Sequence, residues 1–103
     1  MVWVTLTSRG AASCFDATVG LVAQQVPVVA GEIGEDDCAT SFVEQVMGWL
    51  DAQGQSYLGW TWNTWDCRKG PALIADYAGT PTERFGRGFR DHLAALAGSE
   101  PAD

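Results

Sequence analysis

Val26-Pro27-Val28-Val29-Ala30-Gly31-Glu32-Ile33-Gly34 is the stretch that decides the fold. Its first part, 26–31, is an apolar run rich in β-branched residues and without polar alternation. That is the pattern of a strand buried on both faces, as in a parallel sheet. The run ends abruptly in Gly31-Glu32-Ile33-Gly34-Glu35-Asp36-Asp37-Cys38, where four carboxylates crowd into six residues. Parallel α/β architectures carry their reactive groups at the carboxyl ends of strands, so this junction is the first place to look for chemistry.

Upstream, Phe15, Val19, Val22 and Ala23 recur at helical spacing and predict a helix over 15–25. Asp16 falls in its first turn, where the helix dipole favours a carboxylate, and Pro27 ends it. Downstream, Ser41-Phe42-Val43-Glu44 reads as a capping box. The helix it opens has Phe42, Val43, Val46, Met47 and Leu50 on one face and Gly54 as its stop. Ser56-Tyr57-Leu58-Gly59-Trp60-Thr61 reads as a second strand. The segment 62–82 shows no period and predicts a long loop, of the kind that usually carries function, with a short strand at Ala72–Ile74. A last helix, Arg84 to Leu96, places Phe85, Phe89, His92, Leu93 and Leu96 on one face. Residues 97–103 read as a loose polar tail. Residues 1–13 form an atypical N-terminal segment with a strand-like run, Val2 to Leu6. Strands alternating with helices predict an α/β fold with parallel strands and right-handed crossovers.

Composition narrows the partners. The 103 residues are 47% hydrophobic and 18% charged, a globular balance. The net charge is −7, and the six Lys and Arg are scattered. No basic stripe exists for a phosphate backbone, which excludes nucleic acid as the expected partner. No run approaches the roughly 18 apolar residues of a membrane span, so no membrane partner is expected either. Five Trp are present, and Trp60, Trp62 and Trp65 fall within six positions. Such a cluster serves either as core or as a platform for flat, weakly polar ligands such as sugar rings.

Cys14, Cys38 and Cys67 are the cysteines. None is spaced as CxxC, and the one histidine, His92, is remote, so neither a metal site nor a cofactor is expected. Cys38 and Cys67 lie at similar distances past the carboxyl ends of successive strands. Neighbouring strands run roughly 4.8 Å apart, within the reach of a disulfide, which predicts the Cys38–Cys67 bridge and leaves Cys14 free. A disulfide points to secretion. The first ten residues lack the charged and apolar regions of a signal peptide, so a signal is expected upstream of Met1. Glu32 admits two readings, a cap or ion-pair carboxylate and a catalytic one. Glu35, Asp36 and Asp37 lack EF-hand spacing and read as a solvated loop.

Pro27-Val28-Val29-Ala30-Gly31-Glu32-Ile33-Gly34 resembles the seventh-strand signature of glycoside hydrolase family 5, the cellulase type, in which the Glu is the nucleophile. Ser56-Tyr57-Leu58-Gly59-Trp60-Thr61-Trp62-Asn63 resembles the family's eighth-strand signature, whose Trp stacks on the sugar. The resemblance covers about residues 14–96, with 79–82 and the final helix similar to the closing segment. It implies the last two to three units of a (β/α)8 TIM barrel and retaining hydrolysis of a β-linked polysaccharide. In it Glu32 is the nucleophile, Trp60 the floor of the sugar site, and Trp62, Asn63 and Trp65 the rim. The family's acid/base glutamate follows an asparagine, and no Asn-Glu pair occurs here; the family's His-x-Tyr is also absent. A whole barrel needs about 250 residues, so this chain is expected to be a fragment, from a truncated or frameshifted gene, and inactive alone. The alternative is a non-enzymatic carbohydrate-binding protein using Trp60, Trp62 and Trp65. The oligomeric state is left open, though uncovered strand edges invite association.

Overall fold

The computed structural model describes residues 2–6 and 12–99. The order is β1 (Val2–Leu6), α1 (Ala12–Ala17), α2 (Val19–Ala23), β2 (Val28–Ile33), α3 (Ser41–Ala52), β3 (Ser56–Gly59) and α4 (Phe85–Ser99). The three strands form one sheet in the order β1-β2-β3, and both pairings are parallel. The α/β alternation with parallel strands is as the sequence predicts. None of the described helices is long and apolar enough to cross a membrane.

The pairing of β2 is not uniform. Val4 pairs with Ala30, but Thr5 pairs with Glu32, so Gly31 is an extra residue. The same excess appears against β3, where Ala30 pairs with Tyr57 and Ile33 with Gly59. One extra residue reverses the facing of everything beyond it. Val28, Ala30 and Ile33 therefore share one face, and all three are buried. Val29 and Glu32 share the other and are only half-buried.

The helices cover the first face. Ala30 and Ile33 pack in one cluster with Phe15, Phe42, Val43, Val46, Met47, Leu50 and Phe85. The five buried residues of α3 are those its periodicity predicts. On the other face Leu58 is 50% exposed. This corrects the expectation of a strand buried on both sides: only the helix side of β2 is covered. The strand also starts and ends two residues later than expected, because its partners lie alongside Val28–Ile33.

Other boundaries differ for local reasons. The single helix expected over 15–25 is two short ones. Thr18 breaks it, its hydroxyl turned back onto the Cys14 carbonyl at 2.8 Å. Val22 is consequently exposed. Asp16, now in the second turn of α1, accepts from Trp49 Nε1 at 2.8 Å instead of serving a helix start. Ala72–Ile74 is no strand; Ile74 makes one isolated antiparallel bridge to Pro81. Helix α4 continues through Ser99, beyond the expected end at Leu96, and 100–103 lie outside the described residues.

The capping of α3 is the largest local correction. Thr40 precedes the helix and makes no side-chain cap bond. The cap is Glu35, whose Oε1 accepts the N–H groups of Phe42 (2.5 Å) and Val43 (2.9 Å). Glu35 is buried, so it is not part of a solvated loop. A carboxylate at a helix start meets both its unpaired N–H groups and its positive dipole end. At the other end the N–H of Gly54 bonds Asp51 and that of Gln55 bonds Leu50, a Schellman closure with Gly54 at φ 68°. Glu35→Gln is expected to destabilise the fold by about 1–3 kcal/mol, and Glu44→Gln by under about 0.5 kcal/mol. Urea unfolding of both variants checks this. Equal losses would restore the capping box.

A polar cluster ties α3, β3 and α4 together at the far end. Asp51 accepts from the Tyr57 hydroxyl (2.9 Å) and lies 2.6 Å from His92 Nε2. Burial, then Asp51's hydrogen bond and charge, hold the Tyr57 phenol above its ordinary 10.0. A raised folded value means that the protonated phenol is favoured by folding. The contribution is complete below about pH 10 and is lost as pH rises toward the raised value. Absorbance at 295 nm should show one of the two tyrosines ionising late, together with unfolding. Tyr57→Phe should remove that late phase.

Candidate functional site

Two strand ends and the loops that follow them make the site. Glu32 is the last residue but one of β2, inside the strand instead of after it. It lies on the open face, carries no ion pair to a described residue, and is half-buried. Alternation along β3 puts Ser56 and Leu58 on that face, and Trp60 continues it one residue past the strand. The Trp60 N–H donates to the Ile33 carbonyl at 2.9 Å. A Cβ on Gly34 would stand 2.7 Å from the Trp60 carbonyl oxygen and 2.9 Å from Pro71 Cγ. Only glycine allows that approach, so Gly34 lets the Glu32 and Trp60 strand ends close on one another.

The three tryptophans separate. Trp60 and Trp65 meet edge to face, with ring centroids 6.5 Å apart. Asn63 Oδ1 accepts the Trp65 N–H at 3.3 Å and so holds the turn between them. Trp65 rests on Gly70, where a Cβ would come within 2.7 Å of its ring. Trp62, 64% exposed, turns away and lines an apolar cleft with Phe89 and Leu93 of α4. Of the three, Trp65 is the one that packs against Trp60, and Trp62 stands apart from both.

Cys38 and Cys67 form the expected disulfide, with Cα atoms 5.4 Å apart, and Cys14 is free and exposed. The bridge joins the loop after β2 to the loop after β3. Cys38, Asp66 and Cys67 all have positive φ (58°, 61° and 55°), an uncommon conformation for side-chain-bearing residues. These loops wall a polar cleft of about 490 Å³ that takes in Asp37, Asp66, Arg84 and Arg87. Asp37 is held below the usual carboxylate range, first by the Ala39 N–H and then by Glu35. Asp66 is exposed and paired with Arg68 at 3.2 Å. Glu32 does not line this cleft. Among the described residues no group of three or more His, Cys, Asp or Glu is placed to hold a metal ion.

Neither a family model nor a curated protein matches the chain. Among solved structures it is similar to the native form of a β-glucanase from Saccharophagus degradans, with a TM-score of 0.70 and 19% identity. The match covers 95% of this chain and 34% of that one, so the chain spans about a third of the enzyme's length. At that identity the likeness is one of fold.

Opening the Cys38–Cys67 bridge releases a loop of 29 residues. Chain entropy sets its contribution at about 3–4 kcal/mol. Cys38→Ser/Cys67→Ser should lower the urea midpoint accordingly, and Cys14→Ser should leave it unchanged. Peptide mapping that joined Cys14 to either partner would overturn the pairing.

Proposed function

We propose that the chain is the C-terminal part of a secreted glycoside hydrolase barrel acting on a β-linked glucan or related polysaccharide. Glu32 is its nucleophile, and Trp60 is the floor of the sugar site. The observation that carries this reading is that Glu32 and Trp60 stand on the open face at the ends of adjacent parallel strands. The fold likeness to a β-glucanase and the Gly-Glu-Ile-Gly motif support it. A carboxylate there attacks the anomeric carbon, while the indole covers the apolar face of the ring. Stacking holds the sugar near its attack geometry. Trp65 backs Trp60, and Asn63 holds the turn that joins them.

Retaining hydrolysis needs a second carboxyl about 5–5.5 Å from the first. Glu35 is committed to capping α3, and Asp37 and Asp66 belong to the other cleft. The acid/base therefore comes from further βα units, and the described residues alone supply half of the chemistry. A non-enzymatic platform of three tryptophans is less favoured, because Trp62 faces a different cleft from Trp60 and Trp65.

The chain alone is expected to turn over neither carboxymethyl-cellulose nor an aryl β-cellobioside. A chimera in which it replaces the matched third of the β-glucanase is expected to do so. Glu32→Gln in that chimera should cut kcat by on the order of 10³-fold or more while KM stays within a few-fold. Retained turnover in Glu32→Gln would reject the assignment.

A further inference from the structure

The polar cleft of about 490 Å³ is built differently from the Glu32 site. Asp37, Asp66 and Glu83 stand on its walls with Arg84 and Arg87, and no aromatic ring lines it. These residues come from the loops after β2 and β3 and from the start of α4, so its walls need no further βα unit. Asp66 is already paired with Arg68. That leaves Asp37 and Glu83 with Arg84 and Arg87, none of which forms an ion pair with a described residue. The Asp37 carboxyl is lowered by the Ala39 N–H first and, among smaller causes, by the charge of Arg84, yet no ion pair joins the two.

The walls are fixed before any ligand arrives. The Cys38–Cys67 bridge holds two of them together. The Thr82 hydroxyl donates to the Ala72 carbonyl at 2.7 Å and accepts the Gly86 N–H at 2.8 Å, which locks the start of α4 to the loop before it. That loop is closed by the Ala75 N–H on the Thr80 carbonyl at 2.7 Å. Inside it Asp76 Oδ1 accepts the N–H groups of Ala78 and Thr80. The turn so made carries Tyr77, two residues beyond Ala75 of the cleft wall and 71% exposed.

We propose that this cleft is a second sugar site, which binds a neutral glycan by hydrogen bonds to its hydroxyl edges, apart from the site of Glu32 and Trp60. Unpaired carboxylates and guanidiniums in equal number attract neither a free anion nor a free cation. A hydroxyl suits both, because it donates to Asp37 or Glu83 and accepts from Arg84 or Arg87, and bonds to charged groups are the stronger kind. The volume lies in the range of small-ligand sites. Fixed walls spare a weakly bound ligand the cost of ordering them. Tyr77 offers an aromatic face to a sugar that leaves the cleft over the loop. The glycan class rests on the proposed function, whereas the chemistry of the cleft does not.

The test titrates the whole ¹⁵N-labelled chain with cellotetraose and follows its amide and arginine Nε–H signals. Saturable shifts are expected at Thr82, Arg84 and Arg87, and they should persist in Trp60→Ala. Arg84→Gln and, separately, Arg87→Gln should weaken this binding about fivefold or more, and Tyr77→Ala about threefold. The amide spectrum of each variant reports whether it is folded. Shifts confined to the surroundings of Glu32 and Trp60 overturn the proposal and leave the catalytic reading standing. An affinity unchanged in both Arg84→Gln and Arg87→Gln also overturns it. So do equal shifts from sodium sulfate or from glycine, which would make the cleft an ion or zwitterion site. Rejection of Glu32 as nucleophile in the chimera leaves these shifts in place.

Discussion

The extra residue in β2 is the constraint on which the site depends. Strand side chains alternate, so with even pairing Glu32 would share the face of Ala30 and enter the helix-side core. A carboxylate there would be desolvated among Val43, Val46 and Met47. Gly31 absorbs the shift against both neighbours at once. Beyond it, Ile33 takes the buried position and Glu32 the open one. A glycine suits the place, since a bulged position in a close-packed sheet has little room for a side chain. One residue thus reconciles a complete helix-side core with an accessible carboxylate in the same short strand.

The neighbouring carboxylates then divide their tasks by geometry. Glu35 is three residues from Glu32, yet it is buried and its Oε1 is taken up by the N–H groups that open α3. It anchors the loop that leaves the strand end. The disulfide anchors the same loop to the one carrying Trp65. Gly34 sets how closely the two approach. An open-face carboxylate is useful only if the groups beside it are held in place, and here three separate devices hold them.

Patterns that depend on nearest neighbours were legible in the sequence. The apolar face of α3 follows from its 3.6-residue period, and its C-terminal closure from Gly54. The Cys38–Cys67 bridge followed from the equal offsets of two loops. What was not legible depended on pairing across the chain. Nothing local marks Gly31 as an extra residue, because the excess exists only relative to β1 and β3. Nothing local distinguishes Glu44, which fits a capping box, from Glu35, which caps the helix from across a loop. The break at Thr18 left a signal in its β-branched hydroxyl, but the apolar spacing around it was stronger. The separation of Trp62 from Trp60 and Trp65 arises from a turn and from the contour of α4, which residue spacing does not encode.

The two faces of the sheet have unequal status, and that asymmetry bears on what the chain is. A parallel strand gains most of its stability from burial on both sides. Here the helix side is close-packed and the other presents Val29, Leu58 and Trp60 with Glu32 among them. An apolar face with one carboxylate that no described residue pairs is a poor surface to leave in water. It is a good wall for a cavity in which a flat, partly apolar ligand meets a charge. Dispersion and desolvation on Leu58 and Trp60 favour the ligand's faces, and the carboxylate addresses an electron-poor atom between them. The cavity becomes real only when other strands stand opposite. On the proposed reading, the open face that makes Glu32 a candidate nucleophile is also the face that further strands would cover.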